Sequence, residues 1–300
     1  MVTNKLHQIY HWVEEMIAKV LGENARYKFI YFLRTGKILN LNNPQDLNEK
    51  LFWLSRYWRN PLITLCSDKY KVRDFLIEKG CSDILNEQYE VYNNADDIDF
   101  NTLPNKFVLK CNHGSRMNII VEDVKQLDIN ETRRTLNKWL KFQYGRGTEW
   151  QYKSITPKIL AEKYLEGKDG KMIEYQIFCF NGKPKFFLVR NDLRHSSVDK
   201  QAIEYAISYT IDWKRVYMRK GEEQFDFDLP KPANYEKMID YAKKLSEGFP
   251  QVRVDYYEVD NKLVFGELTF SSNGSVQSNY YDEYIKSLGR ELILPNKFND

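Results

Sequence analysis

The stretch that decides the fold is "RVDYYEVDNKLVFGELTFSSNG", residues 253–274. It reads as two apolar strands, each carrying a carboxylate, Asp255 and Glu267, where core residues are expected. Successive side chains of a strand alternate between faces. Val252, Val254 and Tyr256 therefore share one face of the first strand, and Arg253, Asp255 and Tyr257 the other. On the second strand Val264, Leu268 and Phe270 form one set and Phe265, Glu267 and Thr269 the opposite set. Matching apolar face to apolar face pairs Asp255 with Glu267 and Arg253 with Thr269, since a one-residue slip would flip one strand entirely. This register predicts a three- or five-residue loop centred on Asn261. Directly opposed residues lie about 5 Å apart at Cβ, and two bare carboxylates that close repel each other. Mg²⁺ holding the phosphates of a nucleotide would compensate them. So would Arg253 on a solvated polar face, and the hairpin alone leaves both readings open.

Upstream, "PNKFVLKCNHGSRMNIIV" (104–121) starts a strand at Pro104 that delivers Lys110 to a polar loop, Asn112 to Asn118. Backbone N–H groups around Gly114 and Ser115, with a lysine beside them, can cradle phosphate. The loop is not a Walker A motif, because GK[ST] and the following helix are missing; an ordinary hairpin loop is the plain alternative. "ILAEKYLEG" (159–167) sets Glu162 and Lys163 in an otherwise apolar strand. Such a strand can offer its backbone to an adenine edge and its acid to a ribose or an exocyclic amine, or it can be a simple edge strand.

Around these segments, residues 5–80 read mostly as helices. "NPQDLNEKLFWLSRYW" begins at Pro44 and an Asp46 cap, and "SDKYKVRDFLIEKG" runs from a Ser67 cap to Gly80. "ETRRTLNKWLKFQYG" predicts a helix ending at Gly145, and "NYEKMIDYAKKLSEGFP" one ended by Gly248 and Pro250. "MIEYQIFCFNGKPKFFLVRND" predicts two strands around Asn181–Gly182. "YDEYIKSLGRELIL" closes the chain as a helix. The pattern predicts an α+β protein: a mostly helical region over 1–100, a small α+β unit over 101–165, and a larger antiparallel lobe over 166–300.

Composition narrows the function. The chain has 300 residues, 42% hydrophobic and 15% aromatic, enough for substantial cores and against disorder. A net charge of +3, from 45 basic and 42 acidic residues, lacks the basic footprint of a duplex nucleic-acid binder. Four dispersed cysteines (66, 81, 111, 179) without CxxC spacing read as reduced thiols. The four scattered histidines (7, 11, 113, 195) offer no zinc set, and His7 and His11 read as surface. The N-terminus has no apolar signal core, and no apolar run approaches the ~18 residues of a membrane span, so a cytoplasmic protein is expected. "ARYKFIYFLRTGK", with Arg26, Lys28, Arg34 and Lys37, reads as a helix packed on the body, with peripheral membrane contact as the other reading.

In this order, "PNKFVLKCNHGS", "KWL", "EWQY", "PKILAEKYLE", "FCFNGKPKF", "RVDYY" and "FGELTFSSNG" together resemble the ATP-grasp superfamily. They are most similar to its TupA-like branch, which is associated with teichuronopeptide and other surface-polysaccharide synthesis. The resemblance implies an ATP-grasp fold: two antiparallel α+β lobes sandwich ATP beneath a small lid, beside a helical N-terminal region. It implies that a carboxylate is activated as an acyl phosphate and attacked by an amine to give an amide, with ADP released. Lys69 and Lys110 would then contact the phosphates, under a loop formed by His113, Gly114, Ser115, Arg116 and Asn118. Lys163 and Leu165 would meet adenine through the backbone with Glu162 assisting, and Glu166 or Asp169 would accept from the ribose. Asp255 and Glu267 would hold Mg²⁺, with Thr269 where many relatives place asparagine. Arg253 and Lys110 would act in catalysis by neutralising charge on the transferring phosphoryl group. The implied substrates are a uronic-acid or amino-acid carboxylate on a sugar or polymer and an amine such as an amino acid. Peripheral contact with membrane-bound polysaccharide machinery would go with them.

Two residues depart from the family pattern. Arg116 follows Ser115 where relatives read HGSG, and Gln176 stands where they carry lysine, with Lys185 or Arg190 placed to compensate. A glycosyltransferase is the alternative enzyme, on the DxD pairs Asp226–Asp228 and Asp97–Asp99. A non-catalytic sugar-binding protein is the third reading. It gives no reason to place Arg253, Asp255, Glu267 and Thr269 on one face.

Overall fold

The computed structural model describes residues 2–167, 172–192 and 205–298. Asp169, His195 and the side chain of His7 lie outside the described residues. The chain divides into two compact units, one of Met1–Asn60, Arg146–Trp150 and Ser271–Asp300, the other of Pro61–Gly145 and Gln151–Phe270.

The first unit is helical: α1 (Val2–Leu21), α2 (Glu23–Thr35), α3 (Leu47–Tyr57) and α8 (Asp282–Glu291). As the sequence predicts, the Asp46 carboxylate caps α3 by accepting from the Glu49 N–H at 2.9 Å. Tyr27, Tyr31 and Phe52 are fully buried and meet edge to face, so aromatic packing forms this core. Gly289 lets α8 close on the start of α3; a Cβ there would lie 2.7 Å from the Asp46 backbone.

The second unit holds α4 (Pro61–Ser67), α5 (Val72–Glu78), α6 (Ile129–Leu140), α7 (Tyr235–Ser246) and two antiparallel sheets. Strands β1 (Gln88–Tyr92), β2 (Phe107–Cys111), β3 (Asn118–Val121) and β4 (Ile159–Lys163) form one sheet in the order β1-β4-β2-β3. Its Phe107, Leu109, Cys111, Val121, Ile159 and Ala161 side pack with Leu136 of α6, which leaves Lys110 and Glu162 on the other face. Strands β5 (Met172–Phe180), β6 (Lys183–Asp192), β7 (Ala206–Thr210), β8 (Arg215–Val216), β9 (Gln251–Val259) and β10 (Lys262–Thr269) form the second sheet. Its order is β10-β9-β5-β6-β7-β8, and α7 packs on β5, β6 and β9 through its buried Met238, Ala242 and Leu245. The β5–β6 hairpin turns at Asn181–Gly182, both at positive φ, as their sequence predicts.

Four local expectations are corrected. The decisive hairpin turns through two residues, not three or five: Val259 pairs with Lys262, and Asp260 and Asn261 take the positive φ of a type I′ turn. The expected pairs Asp255–Glu267 and Arg253–Thr269 form nonetheless, because a β-bulge between Phe265 and Glu267 inserts the missing residue. Gly266 sits in that bulge, where a Cβ would lie 3.0 Å from the Asp255 carbonyl oxygen. The bulge also reverses the faces on the turn side, so Phe265 opposes Tyr256 and is buried, while Val264 opposes Tyr257. Ser67 ends α4 rather than capping the next helix; Asp68 makes the turn, its carboxylate accepting from the Tyr70 N–H at 2.9 Å. Helix α6 stops at Leu140, not Gly145, which instead lies against the Lys153 backbone at φ 99.

Candidate functional site

Within the second unit, a cavity lies between the two sheets and the α4–α5 turn. Lys69, Arg73, Asn86, Lys110, Tyr152, Glu162, Gly266 and Glu267 are in its wall. Each is delivered by a local rule. Lys110 and Glu162 alternate out of the buried face of β2 and β4, and their side chains meet at 2.6 Å. Glu267 follows the bulge on β10, and Lys69 follows the Asp68 turn. Burial lowers the pKa of Lys69; Glu267 opposes this and Lys110 adds to it, so the two cations and the acid act on one another. Two ammonium groups beside a carboxylate, walled by protein, suit a polyanion with a bound divalent cation.

Behind Glu267 lies a connected polar set. The Arg253 guanidinium grips Asp255 through both carboxylate oxygens, at 2.7 and 2.5 Å. The same Nη2 donates to Thr269 at 3.1 Å and reaches Glu267 at 3.4 Å, while the Thr269 hydroxyl donates to Glu267 at 2.8 Å. Asp255 is fully buried, whereas the Glu267 side chain is 41% exposed toward the cavity. Burial opposes the charge of Arg253, but Asp255, then Glu267 and Glu174, outweigh it and hold the guanidinium above its ordinary pKa. Burial raises the Asp255 carboxyl while Arg253 pulls it down; the two-pronged contact favours the ionised pair. Arg253 thus neutralises the pair, as one reading of the hairpin allows, though in a buried rather than a solvated setting. Among the described residues, no group of three or more His, Cys, Asp or Glu side chains is arranged as a metal site. Two carboxylates nonetheless suffice for Mg²⁺ that takes its remaining ligands from phosphates and water. Glu267 offers such an ion an exposed carboxylate from the cavity wall; Asp255, fully buried with both oxygens on Arg253, and Thr269 stand behind it, outside that wall.

The remaining expected residues are spread over the surroundings. Gly114 is buried, Ser115, Arg116 and Asn118 are exposed, and Lys69 Nζ donates to the Gly114 carbonyl at 2.7 Å. Arg116 has φ 60, a left-handed conformation that glycine adopts more readily than arginine. His113 points into the protein, its Nε2 donating to the carbonyls of Trp139 and Phe142 at 3.2 Å each. Lys163 has committed its backbone: the N–H goes to the Glu87 carbonyl at 2.9 Å, and the carbonyl accepts from Asn86 Nδ2 at 2.9 Å. Glu166 is ion-paired with Lys106 at 2.8 Å, and Leu165 lies half-buried beside it. The DxD residues are elsewhere: Asp99 caps its own turn, and Asp228 lies 3.4 Å from Arg215. None of them is in the cavity wall.

Sequence reasoning missed Glu174, Asn86, Arg73 and the Asp68–Asn112 pair, and placed Tyr257 on the Arg253–Asp255 face without giving it a partner. Glu174 is buried on the same sheet face as Asp255, accepting from Gln176 Nε2 at 3.0 Å and from the Tyr257 hydroxyl at 3.5 Å. Gln176 opposes Asp255 directly, so an amide there spares the buried Arg253–Asp255 pair a second cation. The signal was present, since Glu174 and Gln176 alternate in phase on β5, but it needed the β5–β9 register to become visible.

Solved structures that match the chain include D-alanine–D-alanine ligase from Helicobacter pylori, with TM-score 0.46 and 14% identity over 83% of this chain and 70% of that one. D-alanine–D-alanine ligase from Bacillus anthracis complexed with ATP gives TM-score 0.43 and 17% identity over 75% of this chain and 61% of that one. An L-amino acid ligase from Bacillus licheniformis gives 0.42 and 15% over 70% and 41%. The chain thus spans about three fifths of the length of the Bacillus anthracis enzyme it matches. No curated protein sequence matches it significantly. The family described as "TupA-like ATPgrasp" matches residues 49–293, which takes in both sheets, the cavity wall and the Arg253–Thr269 face. On that match, the chain belongs to the TupA-like ATP-grasp family and has the ATP-grasp fold.

Proposed function

We propose that this protein is an ATP-dependent carboxylate–amine ligase, forming ADP, phosphate and an amide. The observation that carries the reading is Glu267: it stands in the cavity wall with Lys69 and Lys110 and is joined through Arg253 to Asp255. In this reading an oxygen of the substrate carboxylate attacks the γ-phosphorus, and the bond to the ADP oxygen breaks. The amine nitrogen then attacks the acyl carbon, phosphate leaves, and the amine gives up a proton. Lys69 and Lys110 hold the phosphates, and Arg253, behind Glu267 and tied to Asp255, offsets the carboxylate charge beside the transferring group. When bound, Mg²⁺ at Asp255, Glu267 and Thr269 would draw electron density from the phosphate oxygens. Leu165, with the strand leading to it, meets adenine, and Ser115 and Arg116 close over the phosphates. In this scheme residues 101–165 act as the lid and 166–300 as the metal-bearing lobe.

The substrate is a uronic-acid or amino-acid carboxylate of bacterial surface polysaccharide, with an amino acid as the amine, on the family's association rather than on any residue. The test is incubation with Mg²⁺, ATP, uronic-acid acceptors and amino acids. ADP and phosphate that appear only with both co-substrates support the reading. AMP and pyrophosphate, or turnover of a UDP-sugar, overturn it.

A further inference from the structure

Asn112 is fully buried, and all its hydrogen-bonding groups are engaged. Its Nδ2 donates to Asp68 Oδ1 at 2.8 Å and to the Thr156 carbonyl at 3.0 Å, while its Oδ1 accepts from the Lys158 N–H at 2.7 Å. Its backbone N–H donates to the Lys158 carbonyl at 3.1 Å, and its carbonyl accepts from the Lys69 N–H at 3.2 Å. One side chain thereby ties together three segments distant in sequence: the α4–α5 turn, the β2–β3 loop and the run into β4. Lys69 is gripped twice by that loop, at its own N–H and, through Nζ, at the Gly114 carbonyl.

We propose that Asn112, partnered by Asp68, is a positioning residue that sets Lys69 and the Asn112–Asn118 loop as one preassembled unit for a nucleotide phosphate. This deepens the ligase reading and rests on it for the identity of the ligand. The chemistry explains the residue type. The site needs a donor toward Asp68 and Thr156 and an acceptor toward Lys158 on the same planar group, which an amide supplies and a carboxylate does not. The acid at Asp68 is satisfied in turn, since it accepts from both Asn112 and the Tyr70 N–H. Lys69 keeps its backbone anchor when its ammonium leaves Gly114 for a phosphate, so only the side chain must move. Preorganisation of that kind places binding free energy in the contact rather than in ordering a loop.

The test compares the full-length wild type with Asn112→Asp, which turns an oxygen toward two acceptors. Lys69 is acetylated with trace acetic anhydride across a pH series and quantified by mass spectrometry, and ADP binding with Mg²⁺ is measured by calorimetry. In the variant, the labelling midpoint of Lys69 moves up toward that of an ordinary lysine. ADP affinity falls about tenfold or more, within the range a misplaced group produces, and KM for ATP rises more than kcat falls. If Lys69 labels as in the wild type and ADP binds equally well, the proposal is overturned. Should Asn112→Asp fail to fold, Asp68→Ala, which leaves the other bonds of Asn112, is read by ADP affinity and by the KM-against-kcat split, since loss of Asp68 by itself lowers the Lys69 pKa; unchanged ADP affinity overturns the proposal. If the wild type binds no ADP, the nucleotide reading fails, while the Lys69 labelling profile still decides the positioning role.

Discussion

Arg253 and Asp255, two residues apart on β9, form a two-pronged ion pair with contacts of 2.7 and 2.5 Å, and the carboxylate is fully buried. Residues i and i+2 of a strand share a face, so the pair is written into the strand itself and needs no partner from elsewhere in the chain. What the rest of the fold supplies is burial and the neighbouring Glu267 and Thr269.

Removing one member of this pair leaves a buried charge uncompensated. Arg253→Met is expected to lower the unfolding free energy by about 3–5 kcal/mol, and Asp255→Asn combined with it to recover much of that loss. Urea denaturation of the two variants and the wild type checks this. A double variant as unstable as the single one would mean that the pair is not what holds the face.

Glu267→Gln should separate function from stability. The side chain is partly exposed, so its melting temperature should stay close to that of the wild type. ATP-dependent turnover should fall by about 10²–10³, the scale of losing one charge-stabilising group in a site. ADP and phosphate release with matched melting curves is the measurement; full activity would remove Glu267 from the metal and phosphate site.

Gly266→Ala probes the bulge. Its new methyl would press on the Asp255 carbonyl, which a central strand cannot move away. A loss of about 1–3 kcal/mol is expected, as for overpacking in a core. Arg116→Gly should act in the opposite direction, relieving about 1 kcal/mol of left-handed strain at φ 60.

His113 gives a pH prediction. Burial lowers its pKa, against the Phe142 and Trp139 carbonyls, which favour its N–H groups. With Nε2–H committed to those carbonyls, Nδ1 is buried without a hydrogen-bond partner, and protonating it adds a donor there. The unfolded chain therefore takes up this proton at a higher pH than the folded one. Stability from this residue is present above the ordinary histidine value of about 6.5 and declines as the pH falls below it. His113→Gln keeps an N–H for the carbonyls but cannot titrate, so its stability should decline less between about pH 7 and 5. Parallel curves for the two proteins would exclude His113 as the source.

The sequence by itself determined the strand pairs that matter. Alternation on 253–270 placed Arg253, Asp255, Glu267 and Thr269 on one face in the register observed, because a strand's faces follow from its period of two. Turn residues did the same for Asn181–Gly182, and an acid for the Asp46 cap. Where one unpaired residue could sit was not legible. The insertion read as a longer loop is a bulge at Gly266, because a two-residue turn with both φ positive matches the strand twist better, and the count was corrected further along. Nor could local pattern foresee Glu174, Asn86, or the clasp of Asp68 by Asn112, whose partners lie 44 residues apart. Short-range sequence sets which face a side chain takes only as far as the next bulge, as Val264 and Phe265 show. Only the tertiary structure decides which distant face it meets, and whether the charge it carries is solvated or, as at Asp255, buried against its own counter-ion.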